Sequence, residues 1–298
     1  MILLNKYVLS VLGGGFFWGF MGFFTRNLAN YGIYSSGAVL ARCGIAAIAF
    51  GLLAVIRNPK DLKVKLKDFW CFIGSGILAL LFFTFCYFQA ISIISLSTAA
   101  ILLYTAPTIV MILSAILFKE KITKIKLIAL ILAFAGCALV SGIASGANAD
   151  ISTKGILYGL GSGVGYALYS IFARFAMNKG YNSNTVNFYS CLLAALGAAA
   201  IWGVKGTWVP MVASPTAFMW AIATGLCSCF IPYLLYTYGL SGMETGKASV
   251  LASLEPVVAS IIGVVIYHEA MTISSFAGVI LVLSAVVLLN VNIKKKTN

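Results

Sequence analysis

The chain has 298 residues, of which 61% are hydrophobic and only 9% charged, and its mean hydropathy is +1.03. A soluble domain needs about a quarter of its residues charged to cover its surface, so this composition excludes one and predicts an all-α integral membrane protein. The net charge of +13 invites a nucleic-acid partner, but the basic residues fall between apolar runs rather than on one face or arm, which argues for topogenic charges and no nucleic acid.

Apolar runs long enough to cross ~30 Å of hydrocarbon lie at about 7–25, 35–56, 69–91, 96–118, 125–143, 155–177, 183–203, 216–240, 247–267 and 273–292. They predict ten transmembrane helices. The first run ends in Arg26 and Asn27 rather than a small-residue cleavage site, which predicts a retained helix and no cleaved leader. The uncharged stretch from Phe69 to Phe118 is too long for one span, and Ser92, Ser95 and Ser97 mark a turn within it. With the N-terminus inside, sixteen of the lysines and arginines fall in inner segments and three, Arg26, Lys154 and Lys205, in outer ones, so both termini are expected in the cytoplasm. Cysteines introduced into a cysteine-free background should therefore label from the cytoplasmic side at positions 62 and 124 and from outside at position 148. Labelling of 124 and 148 from one side would rule out ten spans.

The chain repeats itself. An offset of 149 matches Ala99 with Ala248, Leu102 with Leu251, Pro107 with Pro256, Glu120 with Glu269 and Thr123 with Thr272. An offset of 148 matches Gly13, Gly15, Trp18 and Arg26 with Gly161, Gly163, Tyr166 and Arg174. Five spans per copy is an odd number, so the second half enters the bilayer from the opposite side. The expected fold is two inverted five-helix repeats, residues 1–145 and 154–293, joined by a Gly, Ser and Ala-rich linker from Gly142 to Lys154. Inverted repeats place a binding site near the midplane, between the halves.

The stretch from Gly246 to Thr272 sets Glu255 beside Pro256 in the middle of an apolar span. At ~1.5 Å per residue from Lys247, Glu255 lies roughly 12 Å deep. A proline there lacks an N–H and leaves the carbonyl of Ala252 without its helical partner, a defect that only protein or a water-lined cavity repairs. Pro107 is the matching helix break of the first half. The seven cysteines lie mostly inside apolar runs and read as small packing residues. The sequence has no HExxH, GxSxG or Walker loop, and its one histidine, His268, cannot make a metal site, so neither catalysis, cofactor nor metal is expected.

The ten spans, the repeated halves, Trp18–Gly19, Arg42 in the second span, the Pro107 to Glu120 segment and above all LEPVVA at 254–259 followed by His268–Glu269 resemble the EamA-type branch of the drug/metabolite transporter superfamily. The resemblance covers essentially the whole chain. It implies a secondary transporter, often an exporter of amino acids or other small metabolites, with a central cavity lined by helices 1, 3, 4, 6, 8 and 9. The expected partners are a small polar organic substrate, amino-acid-like or an amine, the lipid bilayer, and protons as a coupling ion. The alternative is a membrane scaffold or lipid-interacting protein that keeps the fold without transporting.

The candidate residues have competing roles. Glu255 either exchanges a proton or pairs with a cationic substrate group, or it binds backbone loosened by Pro256. The first half has Ala106 at the equivalent place and manages Pro107 without a carboxylate, which favours function. Arg42, about seven residues into the second helix, either binds a substrate carboxylate or packs and caps helices; the peripheral place that the resemblance gives helix 2 favours the structural role. Trp18 and Tyr166 form a cation-binding or stacking wall, or they pack. Tyr104 and Ser253 are further pathway candidates, and Tyr87 and Tyr236, equivalent by the offset, are candidate gates at opposite mouths. Glu120, His268 and Glu269 suggest a common structural task at helix ends.

Overall fold

The computed structural model describes residues 5–94, 96–140, 152–268 and 271–290. Among these, nine helices are long and apolar enough to cross a membrane: α1 (Lys6–Ala29), α2 (Ser36–Arg57), α3 (Leu66–Ile91), α4 (Thr98–Phe118), α6 (Thr153–Asn178), α7 (Ser183–Trp202), α8 (Pro215–Ser241), α9 (Thr245–Tyr267) and α10 (Ile273–Asn290). Between α4 and α6 lies α5 (Lys124–Val140), whose 17 residues span about 25 Å at the helical rise. Most of the predicted linker and Glu269 lie outside the described residues.

The halves pack as an inverted pair. Helix α1 lies on α8 and its counterpart α6 on α3, while α2 pairs with α7, α4 with α9, and α5 with α10. Local geometry repeats with the sequence offset. Helix α3 widens into π-helical turns at Gly74–Leu81 and α8 does so at Leu226–Phe230, so Leu81 and Phe230 end equivalent segments. Lys119 (φ 57°) and His268 (φ 54°) end α4 and α9 in the left-handed conformation, again 149 residues apart. A left-handed cap closes the last carbonyls of a helix whose chain must turn sharply, and its recurrence at two non-glycine residues shows that the turn is built into the repeat.

The proline segments differ from the sequence expectation in one respect. Pro256 does not sit inside a continuous helix: α9 breaks at Ser253–Leu254, and a new helical segment runs Glu255–Tyr267 with the proline in its first turn. Proline costs nothing there, because the first N–H groups of a helix have no partner to lose. Helix α4 breaks in the same way at Tyr104–Thr105, ahead of the segment Ala106–Phe118. Each break is covered by a glycine of the other half. A Cβ on Gly15 would stand 3.1 Å from the carbonyl oxygen of Ala252, and one on its equivalent Gly163 would stand 2.6 Å from Thr105 Oγ1 and 2.8 Å from the Leu102 oxygen. The expected result for Gly163→Ala is therefore a loss of roughly 1–3 kcal/mol from overpacking. Gly22→Ala, with nothing within 4 Å of the added carbon, should stabilise or be neutral. Thermal unfolding in detergent distinguishes the two, and equal melting temperatures would refute the close-packing assignment.

Candidate functional site

Breaking α9 at mid-depth puts Glu255 in the first turn of a half-helix, where the N-terminal end of the helix dipole favours a carboxylate. The side chain is 9% exposed and accepts a hydrogen bond from the hydroxyl of Tyr166 on α6 at 3.2 Å. Above it opens a cavity of about 670 Å³. Its walls come from the second half of α1, the start of α2, the end of α3, the start of α4, and from α9 and α10. All of those ends lie on the face of the bundle opposite the start of α1, so the cavity opens there.

The structure brings together most of the residues singled out in the sequence. Trp18, Tyr87, Tyr104, Glu255 and Pro256 all line the cavity. Tyr166 reaches it through Glu255. Ser253 and Pro107 do not line it: Ser253 is 4% exposed in the α9 break, and Pro107 is buried in the first turn of the second α4 segment. Arg42 stands on the cavity wall, with one terminal nitrogen 2.6 Å from the sulfur of Met21 on α1 and, among the described residues, no acceptor for its buried Nε. Sequence reasoning missed Met21, Phe83, Thr84, Phe88 and Ser260 as wall residues. Phe83 and Thr84 have a detectable signal, since they lie one helical turn before Tyr87.

Below Glu255 an aromatic cluster closes the bundle. Trp18 packs edge-on to Tyr233 with ring centres 5.1 Å apart and lies 5.2 Å from Tyr236, while Tyr169 and Tyr233 are 4.7 Å apart. Their hydroxyls find partners: Tyr236 with Ser170 at 2.7 Å, and Tyr169 donating to Asn187 Oδ1 at 2.5 Å. Asn187 in turn donates to Thr237 at 2.9 Å. Buried hydroxyls satisfied in this way make a dry barrier, because an unpaired polar group there costs more than the bond gains. Tyr236 is 3% exposed in this barrier while its equivalent Tyr87 faces the cavity.

Beyond the barrier, charged ties join the halves on the closed face. Glu120, just past α4, accepts the N–H groups of Thr245 and Gly246 at 2.7 and 3.1 Å and so caps the start of α9. Within the second half, Arg174 supports the same corner by donating to Thr245 Oγ1 at 2.9 Å and to the carbonyl of Met243. Lys126 pairs with Glu244 at 2.7 Å. At the other rim of this face Asp68 receives Lys179 at 2.8 Å and the Tyr181 hydroxyl at 2.9 Å. Burial by itself raises the Glu120 carboxyl, but the Thr245 and Gly246 amides, helped by the hydroxyls of Thr245 and Ser114, hold it below its ordinary 4.5. A lowered carboxyl strengthens the closed face whenever it is ionised, and its contribution is lost as pH falls through that lowered value. The closed face should accordingly resist a thiol label placed behind it at neutral pH and admit it only in acid below 4.5. Entry that already rises at neutral pH would remove Glu120 from this role.

Comparisons with known proteins agree with this architecture. A solved structure superposes with a TM-score of 0.75 at 19% identity, covering 95% of each chain, and so shares the fold. An uncharacterized transporter of Archaeoglobus fulgidus is 29% identical over 208 residues, 68% of this chain and 70% of its own length. The uncharacterized transporter YwfM of Bacillus subtilis is 25% identical over 295 residues, 98% of this chain and 96% of its own. The profile of the EamA-like transporter family matches residues 5–142 and again 153–291. Two matching copies, the inverted bundle and the half-open cavity converge, and the chain belongs to the EamA-like transporter family.

Proposed function

We propose that the chain is a secondary transporter that moves a small polar organic metabolite, amino-acid-like or an amine, outward across the cell membrane. It works by alternating access, with protons as the coupling ion and both termini cytoplasmic. The carrying observation is a single cavity, walled by both inverted halves, that holds Glu255 and Arg42 at its base, opens on one face and is shut on the other by the aromatic barrier and the Glu120 ties. The excess of lysine and arginine in the inner segments supports the orientation, which makes the open face external. The outward direction is supported by the resemblance to EamA-type exporters.

Thermal stabilisation of purified protein across a panel of amino acids, amines, sugars and organic acids, followed by counterflow in proteoliposomes, tests the reading. One solute class should both stabilise the protein and exchange across the vesicle membrane. Stabilisation by lipids only, with no counterflow of any organic solute, would instead make the chain a membrane scaffold or lipid-interacting protein.

A further inference from the structure

On the outer flank of the bundle, away from the cavity between the halves, α2 and α7 leave a groove of about 370 Å³ with no polar side chain on its walls. The repeat builds it. Leu40, Gly44 and Ile48 on α2 stand 148 positions before Phe188, Leu192 and Leu196 on α7, and all six line it. The groove is therefore alike at its two ends, but the segments that bridge those ends are not. At the closed-face end the chain leaves α2 at Arg57 and is tied to the start of α7. Thr185 donates to the carbonyl of Asp61 at 2.7 Å, Tyr189 to that of Leu62 at 2.6 Å, and the Lys65 N–H to the Tyr181 hydroxyl at 3.1 Å. At the opposite end the short helix Lys205–Ala213 takes that place, with Thr207 donating to the Gly37 carbonyl at 3.3 Å. The first bridge carries Arg57, Lys60, Lys63, Lys65 and Lys67, all exposed, whereas the helix has Lys205 as its only charge and exposes Trp208, Val209 and Val212. Of the acidic residues in the first bridge, Asp68 is engaged by Lys179 and Asp61 accepts from Asn58. Among the described residues, none of the five cations lies within 4.0 Å of a carboxylate.

We propose that the groove between α2 and α7 binds an anionic phospholipid of the leaflet at the closed face. One acyl chain lies in the groove, and the basic bridge from Arg57 to Lys67 holds the phosphate. Any apolar groove at membrane depth is filled by lipid; cations across one mouth select which lipid. Topogenesis accounts for the number of those cations, whereas the hydrogen bonds to α7 account for their place over the groove. Leu66, 89% exposed between Lys65 and Lys67, fits a bridge that lies in the headgroup layer rather than in bulk water. The dimensions agree. From Val55, at the basic end of the groove, to Gly44 is a rise of ~16 Å along α2, about half of a hydrocarbon core of ~30 Å. No protein atom lies within 4 Å of a Cβ placed on Gly44, so the end of a chain has room there. On the proposed orientation this is the cytoplasmic leaflet, where anionic lipids are found. The site shares no wall with the central cavity and does not rest on the transport reading.

The purified full chain, stripped of lipid by detergent exchange, tests this with dioleoyl phosphatidylglycerol, dioleoyl phosphatidylcholine and glycerol 1-phosphate as probes. Native mass spectrometry and thermal unfolding should show phosphatidylglycerol held about tenfold tighter than phosphatidylcholine, with no effect of glycerol 1-phosphate. Lys60→Gln, Lys63→Gln and Lys65→Gln together should bring the two lipids within about threefold of each other. Gly44→Phe keeps every charge but plugs the groove at mid-depth, and should also lose the tightly held phosphatidylglycerol. Lys121→Gln with Lys124→Gln, exposed on another basic segment of the closed face, should leave the preference unchanged. Equal melting temperatures without lipid show that the variants fold; the lysine variant alters exposed side chains only and decides the matter if Gly44→Phe does not fold. Equal retention of the two lipids by the unaltered chain overturns the inference. An equal loss on replacing Lys121 and Lys124 also overturns it, because the attraction then belongs to the whole basic face. Displacement of the lipid by glycerol 1-phosphate would make the site one for free phosphate esters instead. A mass of two chains that Gly44→Phe reduces to one would make the groove an interface between copies, and the inference would fall.

Discussion

Glu255→Gln should insert and fold normally yet lose transport by about 10- to 100-fold, the equivalent of one charge-assisted hydrogen bond at roughly 1.5–3 kcal/mol. The amide oxygen still accepts the Tyr166 hydroxyl now 3.2 Å from the carboxylate, so the local structure keeps this side-chain contact. What the substitution removes is the charge. On the proposed proton coupling through Glu255, transport that remains should be insensitive to pH, because the carboxylate that would carry the proton is gone. Ala106→Glu should not rescue it. Ala106 is 1% exposed and packs among Val110, Ala167 and Ile171, away from the cavity, so a carboxylate there meets an apolar cluster rather than a ligand. Reconstituted Glu255→Gln working at the wild-type rate with unchanged pH dependence would return Glu255 to a structural role.

The second large effect is expected from locking the closed face. Glu120 belongs to the first half and Thr245 to the second, and they meet at 2.7 Å. On the proposed alternating-access cycle, rocking of one half against the other must separate them. In a protein whose seven native cysteines are replaced, a cleavable short crosslinker between Glu120→Cys and Thr245→Cys should stop turnover, and cleavage should restore it. Throughout, a third cysteine at Tyr87 should stay open to label, since that residue lines the cavity on the opposite side of the barrier. A second pair at Tyr34 and Met271, one from each half and both on the cavity wall, should crosslink with a short reagent only when the mouth narrows, and that lock should also stop turnover. Continued transport with either face locked rules out alternating access.

Several of these features were legible before folding. Ten apolar runs, a 149-residue offset and an odd number of spans per copy fix an inverted bundle, because hydropathy and repetition are properties of the chain itself. The pairing of Glu255 with Pro256 marked the place where α9 breaks beside the cavity, while the equivalent Ala106 lies in an apolar cluster away from it. The role of Glu120 followed in kind: a recurring carboxylate at a helix end proved, at that position, to cap the start of α9.

Other features needed the tertiary structure. Proline in a sequence announces a helix break without saying which residue begins the next segment; the close approach of Gly15 to the Ala252 carbonyl is what seats α9 in two pieces. Arg42 looked peripheral because the resemblance sets helix 2 at the edge of the cavity, whereas here the start of α2 forms part of the wall and brings Arg42 onto it. Repetition itself hides the most consequential fact. Two nearly equivalent halves encode both faces alike, so nothing in the sequence selects the open one. That choice lies in contacts between the halves, where Trp18 meets Tyr233 and Tyr236 and Glu120 meets Thr245, and contacts between distant segments are written only in three dimensions.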